Sequence, residues 1–153
     1  MEKKIKEAEE IFNIPHSYIL HSSAQRKQAD FLLFLMNTYV KYFNIKPELI
    51  LDVGCGPGSL TKYVLKEYFS KAKIIGVDIS KSSIMKAKED ILENYNIEYI
   101  CSNIEDFRYP FKFDVVFSNA TMHWIKDQEK AYSNIHDLTF FSKKSPSVRE
   151  GMN

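Results

Sequence analysis

The sequence of 153 residues has few cysteines and no excess of charge of one sign. Its two cysteines, Cys55 and Cys101, lie far apart and form no C-x-x-C pair, so neither a disulfide framework nor a metal site is predicted. Lys and Arg number 21 and Asp and Glu number 20, which leaves a net charge of +1. A near-neutral chain lacks the electrostatic footprint that nucleic-acid or membrane-surface binding usually needs. We therefore expect neither kind of partner.

Long hydrophobic runs are also missing. The longest, residues 31–36, is too short to cross a bilayer, and the charged N-terminus has no apolar core or cleavage site of a secretory signal. With two isolated cysteines, these features predict a cytoplasmic protein in a reducing compartment. The composition, with 44% hydrophobic and 14% aromatic residues, is that of a globular chain, and the length allows about one domain.

The hydrophobic pattern predicts helices first and then strands alternating with helices. Residues 2–12 and 24–42 have the three- and four-residue spacing of amphipathic helices. After Pro47, short runs rich in Val, Ile and Phe predict four strands, at residues 48–53, 73–78, 97–101 and 113–119. Helices are predicted between and after them, at residues 59–69, after Ser80, and up to Leu138. This alternation predicts an α/β fold with a doubly wound parallel sheet, covered on both faces.

Three of the five glycines, Gly54, Gly56 and Gly58, lie in the turn between the first strand and its helix. Glycine lets the chain turn sharply there and lets a ligand touch the backbone, next to the unsatisfied N–H groups of the helix. Asp78 follows 20 residues after Gly58, where a doubly wound sheet places a carboxylate beside the ribose of a nucleotide. The combination predicts a nucleotide site. The alternative is a tight turn without a ligand.

The spacing of the glycines also bears on which nucleotide binds. The dinucleotide fingerprint is G-x-G-x-x-G, and its third glycine would fall on Ser59. The sequence instead has G-x-G-x-G, preceded by an acid at Asp52. A nicotinamide-dependent oxidoreductase therefore remains only as the weaker alternative.

Segments 51–58 (LDVGCGPG) and 76–80 (GVDIS) resemble motif I and its partner acid in class I S-adenosylmethionine-dependent methyltransferases. The resemblance implies a Rossmann-like fold with S-adenosylmethionine as the cofactor. It implies that the glycine loop cradles the methionine and ribose part, that Asp78 holds the ribose hydroxyls, and that Asp52 faces the ammonium group, directly or through water.

The segments after the third and fourth predicted strands extend the resemblance. Residues 101–107 (CSNIEDF) resemble the segment that contacts adenine, although Asn103 stands where an Asp is usual. The Asn carbonyl still accepts a hydrogen bond but supplies no negative charge, and the alternative is a polar turn. Residues 113–125 resemble the motif that closes over the methyl group. The cofactor-binding residues implied by the resemblance are Asp52, Gly54, Cys55, Gly56, Gly58, Asp78, Ile79, Asn103, Ile104 and Ser118.

Two further segments, 122–135 (MHWIKDQEKAYSNI) and 23–29 (SAQRKQA), resemble the juvenile hormone acid methyltransferases and, more loosely, other small-molecule carboxyl methyltransferases. This implies an enzyme that methylates the carboxylate of a lipid-like acid. A carboxylate is ionised at pH 7, so it needs desolvation and orienting donors rather than a base. The implied donors are Gln25 and Trp124, and His123 would be a base for a hydroxyl or amine acceptor. The alternatives are a helix cap for Gln25, core packing for Trp124 and a structural hydrogen bond for His123.

Whole methyltransferases of this class carry three more strands after the helix that is predicted to end near Leu138. The polar, aperiodic segment 139–153 predicts an irregular tail instead. We expect an N-terminal helical cap (1–46), a cofactor-binding core (47–138) with strand order 3-2-1-4, and this tail, with the C-terminal strands missing. An exposed apolar fourth strand favours self-association. The alternative to an active enzyme is a truncated, non-catalytic cofactor-binding fragment or isoform.

Overall fold

The computed structural model describes residues 24–65, 68–89 and 96–140, and for 24–26, 63 and 64 it describes the backbone alone. The helix predicted over 2–12 and most of the tail lie outside the described residues. Contacts within the chain divide it into two units, residues 1–45 and 46–153, and each is described by itself. The division into cap, core and tail remains a prediction.

The first unit contains helix α1, Ala24–Tyr42, as the apolar spacing predicts. The helix ends where Asn44 takes the left-handed conformation, with φ 52°. The N–H of Ile45 then donates to the carbonyl of Val40 at 2.8 Å, and that of Asn44 donates to Lys41 at 3.1 Å. These two bonds satisfy the last helical carbonyls in the Schellman pattern.

The second unit is built on a parallel sheet of four strands in the order β3-β2-β1-β4, which confirms the predicted order. The strands are β1 (Leu49–Val53), β2 (Lys73–Asp78), β3 (Ile97–Cys101) and β4 (Val115–Ser118). Every residue of β1 is buried, because this strand is central and both of its faces are covered. Within the described residues β4 lies at the edge of the sheet, and its role in self-association stays a prediction.

The helical elements of this unit are a π-helical segment (Thr61–Leu65), α2 (Lys81–Glu89), a 3₁₀ turn (Met122–Trp124) and α3 (Gln128–Asp137). The π-helical segment departs from the α-helix predicted over 59–69. Helices with i→i+4 and with i→i+5 hydrogen bonds cannot be distinguished from so short an apolar pattern. π-Helical turns are frequent at functional sites, and this one begins three residues after Gly58.

The fourth strand is shorter than predicted from the apolar run 113–119. The carboxylate of Asp114 accepts hydrogen bonds from the N–H groups of Glu48 and Leu49, at 2.8 and 3.0 Å, and so caps the start of β1. Before it, Phe113 forms a single parallel bridge with Thr139. Regular pairing with β1 begins in the next residues, where Ile50 lies opposite Val115.

Each face of the sheet has its own hydrophobic core. One contains Leu51 and Val53 of β1, packed with Phe113 and with Ala131 of α3. The other contains Cys55, Ile84, Ala87 and Tyr99, so α2 covers that face. The coverage of both faces is thus confirmed. Among residues 24–65, 68–89 and 96–140, no helix combines the length and the apolar character needed to span a membrane.

Candidate functional site

A cavity of about 900 Å³ lies at the carboxyl ends of the parallel strands. Its walls come from the ends of β1 and β2, the loop after β3, and the segment between β4 and α3. Open α/β sheets bind their ligands in the crevice at this edge. Six residues predicted from the sequence line the cavity: Gly54, Asp78, Ile79, Asn103, Ile104 and Trp124.

The three glycines of the loop all have left-handed backbones, with φ of 74°, 54° and 79°. A Cβ at Gly54 would overlap the side chain of Thr121, and one at Gly58 would overlap the hydroxyl of Tyr99. At Gly56, no described heavy atom lies within 4 Å of the position of a Cβ. Packing therefore explains two of the glycines. The Cβ position of the third faces open space, although Gly56 is not among the described residues that line the cavity.

Asp78 joins the end of β2 to the glycine loop. Its Oδ2 accepts a hydrogen bond from the N–H of Gly56 and its Oδ1 accepts one from the N–H of Ser80, both at 2.8 Å. The N–H of Gly54 donates to the carbonyl of Val77 at 2.7 Å and fixes the loop to the same strand. Each carboxylate oxygen has a further lone pair, so Asp78 can still accept from two hydroxyls of a ligand.

Asp52 is a buried carboxyl group at the end of β1, with 2% of its surface exposed. The hydroxyl of Thr61 donates to its Oδ2 at 2.5 Å. Burial raises the pKa of Asp52 from 3.8 to about 7; the bond from Thr61 lowers this pKa, and the charge of Asp78 raises it further. Near neutral pH both forms are populated, and a nearby cation would favour the ionised one.

Cys55 is buried next to this carboxyl group. Burial, followed by the negative charges of Asp52 and Asp78, raises the pKa of its thiol far above the ordinary value. Its Sγ lies 3.7 Å from the carbonyl of Gly56. The neutral thiol is a packing group rather than a nucleophile or a metal ligand.

Asn103 and Ile104 form the turn that follows β3. The Oδ1 of Asn103 accepts from the N–H of Glu105 at 3.1 Å, and its backbone carbonyl accepts from the N–H of Asp106 at 3.1 Å. Ile104 is 6% exposed and packs into the core, while it also lines the cavity. The polar turn that was the alternative to adenine contact is present, and it forms a wall of the cavity.

The other predicted residues have different positions. The hydroxyl of Ser118 donates to the carbonyl of Val53 at 3.1 Å, and Ser118 is not among the described residues that line the cavity. Trp124 is 81% exposed, so core packing, its alternative role, is wrong. The ring of His123 is exposed and lies 5.0 Å from that of Trp124, centre to centre. Gln25 lies in the first unit, and its side chain is outside the described part of the structure.

Sequence reasoning missed the polar side chains that hold these segments in place. Tyr99 donates to the carbonyl of Gly58 at 3.3 Å, and Thr121 to that of Gly54 at 3.4 Å. Asn134 could have been found from the sequence, because it is a polar residue on the helix face that carries the buried Ala131 and Leu138. Four side chains belong to this group: Thr61, Tyr99, Thr121 and Asn134.

Residues 50–139 match the family model described as a methyltransferase domain. The chain is 32% identical over 128 residues to malonyl-[acyl-carrier protein] O-methyltransferase 1 of Ilyobacter polytropus, covering 84% of this chain and 46% of that protein. It is 37% identical over 112 residues to the malonyl-[acyl-carrier protein] O-methyltransferase of Acetivibrio thermocellus, covering 72% and 37%. The chain thus spans less than half the length of these two relatives.

A solved structure shares the fold. The plantazolicin methyltransferase BamL, crystallised with a triazolic desmethylPZN analog and SAH, is similar with a TM-score of 0.64 and 27% identity. The similarity covers 90% of this chain and 53% of that one. Because the family model matches more than half of the sequence, the chain belongs to the methyltransferase domain family, with the Rossmann-like sheet of its class I members.

Proposed function

We propose that this chain binds S-adenosylmethionine at the carboxyl edge of its sheet and is the cofactor-binding part of a carboxyl O-methyltransferase. The observation that carries the proposal is the contact between Asp78 and the left-handed turn at Gly56, whose Cβ position faces open space. An acid and an open glycine backbone at one edge of a parallel sheet suit a ribose with its neighbouring groups.

The residues present fit this cofactor. In the proposed arrangement Asp78 accepts from the ribose hydroxyls, the loop from Gly54 to Gly58 approaches the methionine part, and Asp52 faces the ammonium group. The turn at Asn103 and Ile104 contacts the adenine, and Ile79, 71% exposed, offers it an apolar surface. Ser118 and Cys55 support the loop, the first through the carbonyl of Val53 and the second by packing. The roles of Asp52, Asp78 and the glycine loop are those that the sequence resemblance implies.

When bound, S-adenosylmethionine supplies an electrophilic methyl group on a sulfonium. The residues of the chain then have to align the acceptor with that methyl group and exclude water. Trp124 fits this task, because it lines the cavity and its indole N–H is a hydrogen-bond donor. In the proposed reaction Trp124 orients the acceptor, with Gln25 as a second donor. His123, next to Trp124, is the base only if the acceptor carries a proton.

The acceptor we propose is the carboxylate of an acyl chain. The names of the malonyl-[acyl-carrier protein] O-methyltransferases support methyl transfer to oxygen in related proteins. The resemblance of segments 122–135 and 23–29 to juvenile hormone acid methyltransferases supports a lipid-like carboxylate. An ionised carboxylate also agrees with a cavity that Trp124 lines but no described histidine does.

The alternative is cofactor binding without turnover. Calorimetric titration with S-adenosylmethionine, followed by methyl-transfer assays on a long-chain carboxylic acid and a malonyl thioester, separates the two. Binding with methyl ester formation supports the enzyme, and binding without it supports the alternative. No binding at millimolar cofactor contradicts both. Competition by a nicotinamide dinucleotide would instead favour an oxidoreductase.

A further inference from the structure

Asn134 of α3 is a buried polar side chain in a helix face that is otherwise apolar. We infer that Asn134 is a positioning residue that fixes the turn after β3 and thereby determines how selectively the cofactor site accepts adenine. The inference rests on the proposed function, because it concerns the base end of the same cofactor. It adds a residue that does not touch the cavity itself.

Both ends of the Asn134 side-chain amide form hydrogen bonds with the loop that follows β3. Asn134 is 8% exposed, and its Nδ2 donates to the carbonyl of Ile104 at 2.6 Å and to that of Phe107 at 2.9 Å. Its Oδ1 accepts from a guanidinium nitrogen of Arg108 at 2.6 Å, and the same nitrogen donates to the carbonyl of Phe107 at 2.8 Å. A single amide therefore forms hydrogen bonds with three residues of the loop, Ile104, Phe107 and Arg108.

The loop and the helix that Asn134 joins form two walls of the same cavity. Residues 102–105 line one wall, and Gln128 and Glu129, in the first turn of α3, line another. An ion pair from Lys130 to Asp106, at 2.7 Å, also joins the helix to the loop, but it is exposed to solvent. Exposed ion pairs contribute little, whereas buried amide donors are costly to lose. Asn134 therefore helps to set the distance between the walls, together with the hydrophobic core that Ile104 and Phe107 share with Ala131 of α3.

Adenine selectivity is the property most sensitive to this distance. In the proposed site, the turn at Asn103 and Ile104 pairs with the exocyclic amine and ring edge of adenine. Hypoxanthine replaces that amine with a carbonyl, so it leaves the acceptor of a well-placed site unpaired. A loop released from α3 can shift and pair with either base. A purely structural role of Asn134 would instead weaken the binding of both bases equally.

The test compares S-adenosylhomocysteine with S-inosylhomocysteine by calorimetric titration of the wild-type chain and three variants. Asn134→Leu removes the hydrogen bonds of the side-chain amide, so it should lower the ratio of S-adenosylhomocysteine affinity to S-inosylhomocysteine affinity by about fivefold or more. Arg108→Ala, which changes an exposed residue and keeps both Nδ2 bonds, should lower the ratio by less. Ser133→Ala, at the exposed neighbouring position of α3, should leave the ratio unchanged.

Each outcome decides the inference. A wild-type chain that binds neither ligand contradicts the proposed function and the inference with it. A wild-type chain that binds both ligands equally, or an Asn134→Leu variant that loses affinity for both in the same proportion, overturns the inference alone. If Asn134→Leu does not fold, an unchanged ratio in Arg108→Ala overturns it.

Discussion

The backbone N–H of Gly56 donates a hydrogen bond to Oδ2 of Asp78 at 2.8 Å and joins two segments that are 22 residues apart. The bond is charge-assisted and therefore stronger than one between neutral groups. It orients the carboxylate and the glycine turn relative to each other. Two features that the sequence presents separately thus form one rigid element of the candidate site.

Loss of this contact should be visible in the ligand-free protein. In Asp78→Ala the amide of Gly56 has no acceptor, so we expect its hydrogen exchange to accelerate by about tenfold or more. Exchange measured by nuclear magnetic resonance checks this. The control is Glu89→Ala, which removes an exposed acid at the end of α2. Equal exchange rates in wild type and Asp78→Ala would show that the bond contributes nothing.

Alanine substitutions separate the glycines that packing requires from the one open to a ligand. Gly58→Ala places an alanine in a left-handed backbone conformation, and its Cβ overlaps the side chain of Tyr99. We therefore expect the free energy of unfolding to fall by about 2–4 kcal/mol. Gly56→Ala adds only the backbone strain, about 1–2 kcal/mol, yet it should weaken cofactor binding by about tenfold. Urea unfolding and calorimetry measure the two effects. If Gly56→Ala binds the cofactor as well as the wild type does, no ligand lies close to this backbone.

The buried carboxyl group of Asp52 should make stability depend on pH. Its pKa of about 7 in the folded chain exceeds the ordinary value of 3.8, so between these values the folded state binds more protons than the unfolded state. The free energy of unfolding contributed by this group is therefore fully present below about pH 4. It falls as the pH rises toward 7, by at most about 1.4 kcal/mol per pH unit.

Asp52→Asn isolates this effect, because an Asn carbonyl can still accept from Thr61 but does not ionise. The difference between wild type and variant, measured by urea unfolding at pH 5, 6, 7 and 8, cancels the other titrating groups. We expect the variant to gain stability relative to the wild type as the pH rises to 7. Parallel curves over this range would show that Asp52 ionises with an ordinary pKa.

Truncation of Trp124 and of Phe113 should have very different effects on the free energy of unfolding, since 81% of Trp124 and none of Phe113 is exposed. Trp124→Ala should change the free energy of unfolding by no more than about 0.5 kcal/mol, and Phe113→Ala should lower it by about 3–5 kcal/mol. In the proposed reaction Trp124→Ala raises the KM for the carboxylate by about fivefold and leaves S-adenosylhomocysteine affinity unchanged. A large loss of stability in Trp124→Ala would contradict its exposed position.

Most of the sheet could be predicted from the sequence. The continuous apolar runs of β1 and β2, each followed by glycine or an acid, fixed the strand bounds to within a residue. The strand order, in contrast, was implied by the resemblance to class I methyltransferases, and the sheet confirms it. The spacing from Gly54 to Asp78 was likewise enough to bring both residues to one cavity.

The contacts that hold the site could not be predicted, because they join residues far apart in sequence. Asn134 reaches the carbonyl of Ile104 across 30 residues, and Tyr99 reaches that of Gly58 across 41. Short patterns report only local periodicity, so they also failed to show the π-helical turn at Thr61–Leu65. The exposure of Trp124 depends in the same way on which segments pack around it.

The proposed cofactor site is best tested by calorimetric titration of the wild-type chain and Asp78→Ala with S-adenosylhomocysteine. We expect one ligand to bind per wild-type chain and the affinity to fall by about tenfold or more in Asp78→Ala, while Glu89→Ala binds as the wild type does. Wild-type binding that survives Asp78→Ala unchanged would contradict the assigned site. Absence of heat at millimolar ligand would contradict cofactor binding altogether.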